Sequence, residues 1–193
     1  MVPGTLSLVD GRVPRAEGRT EGDPYARLVE AAQNGDDVAL GELVRRTQPA
    51  VWRLCRALGD PAEVDDLTQD VFLRAVRSLG SYRFESPFLP WLLTIARRVC
   101  ADQVRRNDRR RRLTRRLTGE AREEVVHLDG SDVHSLVDTL DPERKLAFVL
   151  TQVVGVSYEE AAEICQCPIG TIRSRVARAR GELLETVRAA EAR

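Results

Sequence analysis

Apolar positions recur along most of this chain at intervals of three and four, the period of one buried helix face. The recurrence begins after Pro24, with Leu28, Val29 and Ala32. Asn34-Gly35 ends that run, and Asp36 is placed to cap the next, which carries Val38, Leu40, Leu43 and Val44. A third run holds Val51, Trp52, Leu54, Cys55 and Leu58 before Gly59-Asp60-Pro61 breaks the pattern. A strongly amphipathic helix then follows through Val64, Leu67, Val71, Phe72, Ala75 and Leu79. Residues 80–90 read as a loop with aromatics, and a long helix is predicted from Pro90 through Trp91, Leu92, Ile95, Val99 and Val104. Periodicity fades over Leu113–Ser135 and returns near Val137. Phe148–Val154 is rich in β-branched residues yet keeps helical spacing. The pattern predicts an all-α protein without internal repeats.

The prediction divides the chain into four parts. Residues 1–23, rich in Gly, Pro and Arg, read as a disordered tail. Residues 24–112 form one small helical domain, 113–135 a flexible linker, and 136–190 a second helical domain. Among 193 residues, 42% are hydrophobic, 31% charged and 5% aromatic. This is the composition of a globular protein whose core rests on Leu, Val, Ala and Ile. No uncharged apolar run reaches the ~18 residues that a membrane span needs, and residues 6–9 are too short for a signal-peptide core. A cytoplasmic protein with reduced cysteines is expected.

Charge alters the picture. The formal net charge is zero, but the signs are segregated. Between Asp60 and Asp70 stand Asp60, Glu63, Asp65, Asp66 and Asp70 with no base. Between Arg97 and Arg116 ten arginines face only Asp102 and Asp108. The chain's one lysine is Lys145. An arginine block is the footprint of a polyanion, and the acidic block points to a separate, basic partner. As a bland alternative, either block alone is a solvated helix face.

Two constellations carry function. The first is Ser157 to Val176. Ser157 with Glu160 makes a capping box, and Ala161, Ala162 and Ile164 form the buried side of a short helix. A turn follows, and Pro168 suits the start of a second helix. In that helix Ile172, Val176, Ala179 and Leu183 share one face, while Thr171, Arg173, Ser174, Arg175 and Arg178 lie off it. This is a helix-turn-helix pattern, in which the second helix enters the major groove and arginine forks read guanine edges. A plain helical hairpin with a basic face is the alternative.

The second constellation runs Asp65-Asp66-Leu67-Thr68-Gln69-Asp70-Val71-Phe72, then Tyr82-Arg83-Phe84, then Trp91-Leu92-Leu93-Thr94-Ile95-Ala96-Arg97-Arg98. An acidic and amide face precedes aromatics and a basic face. Aromatics beside arginines suit unstacked single-stranded bases. Trp91 and Ile95 read as core rather than as stacking platforms.

Together the two constellations resemble the extracytoplasmic-function (ECF) sigma factors, over about residues 25–190. The resemblance implies that residues 25–112 are sigma region 2 and 136–190 region 4. It implies a non-enzymatic, cofactor-free subunit that directs core RNA polymerase to promoters. Asp65, Asp66, Gln69 and Asp70 would dock on the β′ clamp helices. Tyr82, Phe84, Ser86 and Phe88, in the loop, would receive a base of the −10 element. Arg97, Arg98, Arg105 and Arg106 would track promoter backbone near the melting start. Thr171, Arg173, Ser174, Arg175 and Arg178 would read the −35 duplex, and the apolar face of Leu136–Leu150 would meet the β flap. Many family members are held by an anti-sigma factor. One departure stands out: Phe84-Glu85-Ser86-Pro87-Phe88 is shorter than the usual −10 loop and carries Pro87.

Two rival readings remain at this stage. An ordinary regulator would use the helix-turn-helix but leave the acidic and arginine blocks unexplained. An RNA-binding protein would leave the helix-turn-helix unused. Cys165-Gln166-Cys167 lacks the second pair that a zinc site needs, so its thiols read as turn packing in preference to a metal or redox role involving His127 or His134. Cys55 and Cys100 read as core. No nucleophile–base pair or phosphate loop is found, and the adjacent acids Asp65–Asp66 and Glu159–Glu160 point apart on their helices.

Overall fold

A computed structural model describes residues 22–118 and 133–191. All elements among the described residues are helical. In the first domain these are α1 (Ala26–Gln33), α2 (Asp37–Leu58), α3 (Val64–Leu79) and α4 (Phe88–Thr118). In the second they are α5 (Val133–Asp138), α6 (Pro142–Phe148), a π-helical turn (Val149–Val154), α7 (Tyr158–Cys165) and α8 (Ile169–Glu191). None of these helices is long and apolar enough to cross a membrane. The interior of the expected tail (residues 1–21), most of the expected linker and His127 lie outside the described residues.

The second and third apolar runs form one helix. Pro49 lies inside α2 and removes one backbone donor. The buried stripe Leu43, Thr47, Ala50, Val51 and Leu54 nevertheless continues across it in register, so packing holds the helix together. Asp36 caps α2 as expected, accepting from the amides of Val38 and Ala39. Gly35 supplies the left-handed backbone before it, with φ +90°. At the far end, a Cβ on Gly59 would stand 2.4 Å from Leu67 Cδ1 and 2.9 Å from the Cys55 carbonyl oxygen. The chain reverses there only because that atom is missing.

Helices α2, α3 and α4 pack pairwise around Leu54, Val71, Leu92, Leu93 and Val99, all fully buried. Three polar ties close this bundle. Gln33 Nε2 donates to the carbonyls of Leu79 (2.8 Å) and Tyr82 (3.0 Å). The Asp23 carboxylate accepts from the amide of Tyr25 (3.0 Å) and from that of Phe88 (2.8 Å), joining the starts of α1 and α4. Asp23 is therefore part of the domain and not of the tail. Arg74 on α3 bridges Asp70 on its own helix (2.9 Å) and Asp102 on α4 (3.2 Å). Helix α4 continues past Arg112 to Thr118, so the arginine block stays helical beyond the expected domain end.

The second domain wraps α6 and α7 against α8. Phe148–Val154 is helical, as its spacing predicts, but its turns widen to π geometry and end at Gly155, φ +90°. The two domains touch: α7 packs on α4, and the π-helical turn packs on α2. Arg97 Nη1 donates to the carbonyl of Ile164 at 2.6 Å. That carbonyl lies in the last turn of α7, the electronegative end of a helix, where a cation is favoured.

Candidate nucleic-acid and protein interfaces

The helix-turn-helix is built as its sequence foretells. Ser157 Oγ accepts from the Glu160 amide (3.1 Å), and Glu160 returns a carboxylate to the Ser157 amide (2.7 Å). Gln166 ends α7 in the left-handed conformation, φ 55°. Ile172, Val176 and Ala179 are buried and Leu183 partly so. The opposite side of α8 exposes Arg173, Ser174 and Arg178. Thr171 is half-buried. Arg175 is turned inward, bonded to the Glu143 carboxylate and lying 3.6 Å from Cys167 Sγ. The sequence gives no sign of that pairing, because Glu143 belongs to α6. Arg180 bonds Gln152 at 2.6 Å.

In the first domain, Asp65, Asp66 and Gln69 stand exposed along one edge of α3. Asp70 shares the edge but is held by Arg74 through two bonds (2.9 and 3.1 Å), so its charge is partly answered within the chain. Asp65 accepts from the Trp52 indole N–H at 3.2 Å. The stripe continues with Leu73 and Val76, both exposed.

The aromatic loop is mostly inward-facing. Tyr25, Tyr82, Phe84, Phe88 and Trp91 pack as one cluster, with ring centroids 4.9 to 5.9 Å apart. Tyr82 and Phe88 are buried, and Tyr82 Oη donates to the Ser86 carbonyl at 2.5 Å. Burial holds the Tyr82 hydroxyl well above its ordinary pKa. Phe84 adopts a left-handed backbone, φ 57°. Its side chain and Ser86 are half-exposed, and Arg83 and Glu85 are exposed. Trp91 and Ile95 are half-buried against the core.

Along α4, Arg98, Arg105 and Arg106 are exposed. Arg105 pairs with Asp102 (2.5 Å), and Arg106 takes Gln103 Oε1 (2.7 Å). Hydrogen bonds from Arg105 and then Arg74 hold the Asp102 carboxyl below its usual range. Arg97 is occupied by Ile164, as described. Most apolar residues of Leu136–Leu150 are also occupied: Val137, Leu140, Ala147, Val149 and Leu150 are buried in the fold, and Leu136, Leu146 and Phe148 are half-buried.

Cys165 and Cys167 pack partly against the core. Among the described residues no group of His, Cys, Asp and Glu has the arrangement of a metal site. Burial pushes the Cys165 thiol up to about 11. At pH 8 such a thiol is ionised roughly 100-fold less than an ordinary one, and the thiolate is the nucleophile. Brief treatment with iodoacetamide at pH 8 should therefore label Cys165 only slowly, as read by fragment-ion mass spectrometry. Labelling of Cys165 should rise as pH climbs toward 11, and rapid labelling at pH 8 would show that its thiol is not held up in this way.

The sequence matches the family model for sigma-70 region 2 over residues 43–110 and that for sigma-70 region 4 over residues 131–183. It is 39% identical over 173 residues to a probable RNA polymerase sigma-C factor of Mycobacterium bovis, covering 86% of this chain and 92% of that one. This chain belongs to the ECF sigma factors. The ECF RNA polymerase sigma-E factor of Escherichia coli is 32% identical over 169 residues, with 79% of this chain and 88% of that one covered. Among solved structures, CnrH bound to the cytosolic domain of CnrY matches with a TM-score of 0.67 and 30% identity, over 84% of this chain and 96% of that one. The sigma factor RpoE of Bartonella quintana, bound to the anti-sigma factor NepR, matches with a TM-score of 0.64 and 31% identity, over 77% and 96%. As an ECF sigma factor the chain binds RNA polymerase and directs transcription initiation at promoters. Sigma factors are regulators of transcription and not enzymes.

Proposed function

We propose that this sigma factor recognises a two-part promoter. Residues 24–112 act as region 2 and 136–190 as region 4, joined by a tether. Helix α8 enters the −35 major groove, where Arg173, Ser174 and Arg178, with Thr171 and Arg175 behind them, read bases and backbone. The half-exposed face of Phe84 with Ser86, supported from below by Tyr82 and Phe88, receives a −10 base from the separated strand. Arg97, Arg98, Arg105 and Arg106 follow the phosphates and aid melting. Asp65, Asp66, Gln69 and Asp70 dock on the basic β′ clamp, and the apolar α6 and π-helical face meets the β flap. The observation that carries this reading is the exposed Arg173–Ser174–Arg178 face on a capped helix-turn-helix, in one chain with a separate acidic face on α3.

For Arg97 and the π-helical face to take these parts, the two domains must separate, and polymerase binding supplies the driving force. Two weak DNA contacts on one tethered chain then gain from effective concentration. An inhibitory protein covering these faces fits this scheme, and one of the solved relatives is a complex of a sigma factor with an anti-sigma factor. The protein works where polymerase works, in the cytoplasm.

Run-off transcription with purified core polymerase on genomic promoter fragments tests the proposal. Specific transcripts should appear only with the protein present, and the protein alone should bind the same duplexes weakly. Tight duplex binding without polymerase, and no transcript with it, would make this an ordinary regulator.

A further inference from the structure

Beyond Gln103, no described side chain of α4 is buried. Residues 104–118 form an arm outside the core of the bundle, about 20 Å long at the helical rise. Eight arginines and one acid, Asp108, occur in it. It continues past residue 110, where the match to the region 2 family ends. Its apolar members Val104 and Leu113 are exposed, so no packed face pins this part of the helix.

The arm's charge is also unbalanced. Arg105 and Arg106 are answered by Asp102 and Gln103. Arg109, Arg110 and Arg112 are exposed and form no ion pair among the described residues. Arg105 with Arg109, and Arg106 with Arg110, stand four apart, a spacing at which like charges destabilise a helix. A polyanion laid against the arm relieves that repulsion. With 3.6 residues per turn, Arg98, Arg105, Arg109 and Arg112 fall within about 60° of one another, opposite the buried Ala96 and Gln103. From Arg98 to Arg112 this row spans about 21 Å, the length of roughly six base pairs.

The direction of the helix indicates which polyanion. Helix α4 starts at the aromatic loop assigned to the −10 base, and the chain leaves its far end for the domain assigned to the −35 element. We propose that the arm lies along the duplex between those two elements, where Arg109, Arg110 and Arg112 neutralise phosphates. The proposal rests on the reading that α4 follows promoter backbone beside the −10 site, and it extends that contact upstream. Phosphate contacts carry no sequence information, so the arm tightens promoter binding without narrowing the choice of promoter.

The test is promoter binding by holoenzyme, assembled from the full chain and purified core polymerase. The phosphates between the two elements are either natural or neutralised as methylphosphonates. Neutral phosphates should weaken binding of the unmodified protein roughly tenfold or more near 0.1 M salt. The triple variant Arg109→Gln/Arg110→Gln/Arg112→Gln should lose a similar factor on natural duplex and be insensitive to the neutral phosphates. Its plot of log affinity against log salt should be shallower by about 2–3. The loss should be equal for intervening sequences of different composition and the same length. An unchanged salt slope, or methylphosphonates that act alike on both proteins, would overturn the proposal. So would a triple variant that binds promoter normally and fails only as the transcript lengthens, which would assign the arm to RNA. Arg98→Gln/Arg106→Gln probes the underlying reading. Normal promoter binding by that variant would remove the −10 backbone contact on which the proposal rests. Its impairment, beside a triple variant that behaves as wild type, would overturn the arm alone.

Discussion

Leu92→Ala should lower the thermal midpoint of the first domain by roughly 10 °C or more. Leu92 is fully buried on α4, where α2 and α3 converge. It borders a narrow apolar gap lined by Leu43, Phe72, Leu79 and Phe88. Truncation would enlarge that gap, and the helices around it are held by their own packing and cannot collapse to refill it. Loss of transfer energy plus the cavity costs about 2–5 kcal/mol. In a domain of this size each kcal/mol moves the midpoint by ~4–8 °C. Val38→Ala is the control: Val38 is 83% exposed, and its truncation should change stability by less than about 0.5 kcal/mol. Melting followed by circular dichroism at 222 nm reads both. A drop below about 3 °C for Leu92→Ala would mean that α4 does not seat on α2 and α3 as described.

Promoter-directed transcription should fall about 100-fold in the double variant Arg173→Ala/Arg178→Ala, assayed at limiting holoenzyme. Both side chains are exposed on α8 and neither has a partner role in the core. A bidentate arginine contact contributes about 1–3 kcal/mol of discrimination, so two lost contacts reach that scale. Affinity for core polymerase should be unchanged, because neither side chain belongs to the faces proposed to meet polymerase, the acidic edge of α3 and the apolar α6 and π-helical face. The salt dependence of DNA binding by holoenzyme should become shallower if either side chain neutralises a phosphate. Unchanged transcription would mean that α8 does not read the promoter. Arg175→Ala is a less clean probe, because its guanidinium also ties α8 to Glu143 on α6.

These effects separate what was readable in the sequence from what was not. The helix-turn-helix was legible because its signals are local: a Ser–Glu capping box, a turn, and a three-four spacing of apolar residues. The acidic edge of α3 was legible for the same reason. Pairings between residues remote in sequence were not. Arg97 meets a backbone carbonyl in α7, Arg175 meets Glu143, and Gln33 meets the end of α3. No local pattern announces any of them, and each alters what the residue is free to do. The aromatic loop shows the limit most clearly. Its composition announces stacking surfaces, but the turn at Phe84 sends Tyr82 and Phe88 inward, where they support the loop instead of facing solvent. Two apolar runs read as separate helices proved to be one, because continuous burial outweighed the missing amide of Pro49.

The positive surface of this protein is made almost wholly of guanidinium. An arginine side chain keeps its charge at every pH at which a protein stays folded, and it is not a substrate for the acyl transfer that neutralises lysine amines. The single lysine, Lys145, sits in α6 with its ammonium group on Asp138 at 2.6 Å and only 17% of its side chain exposed. Neither acidity nor acetylation therefore has a handle on the faces proposed to meet DNA. Their attraction for phosphate varies with ionic strength and with whatever covers them.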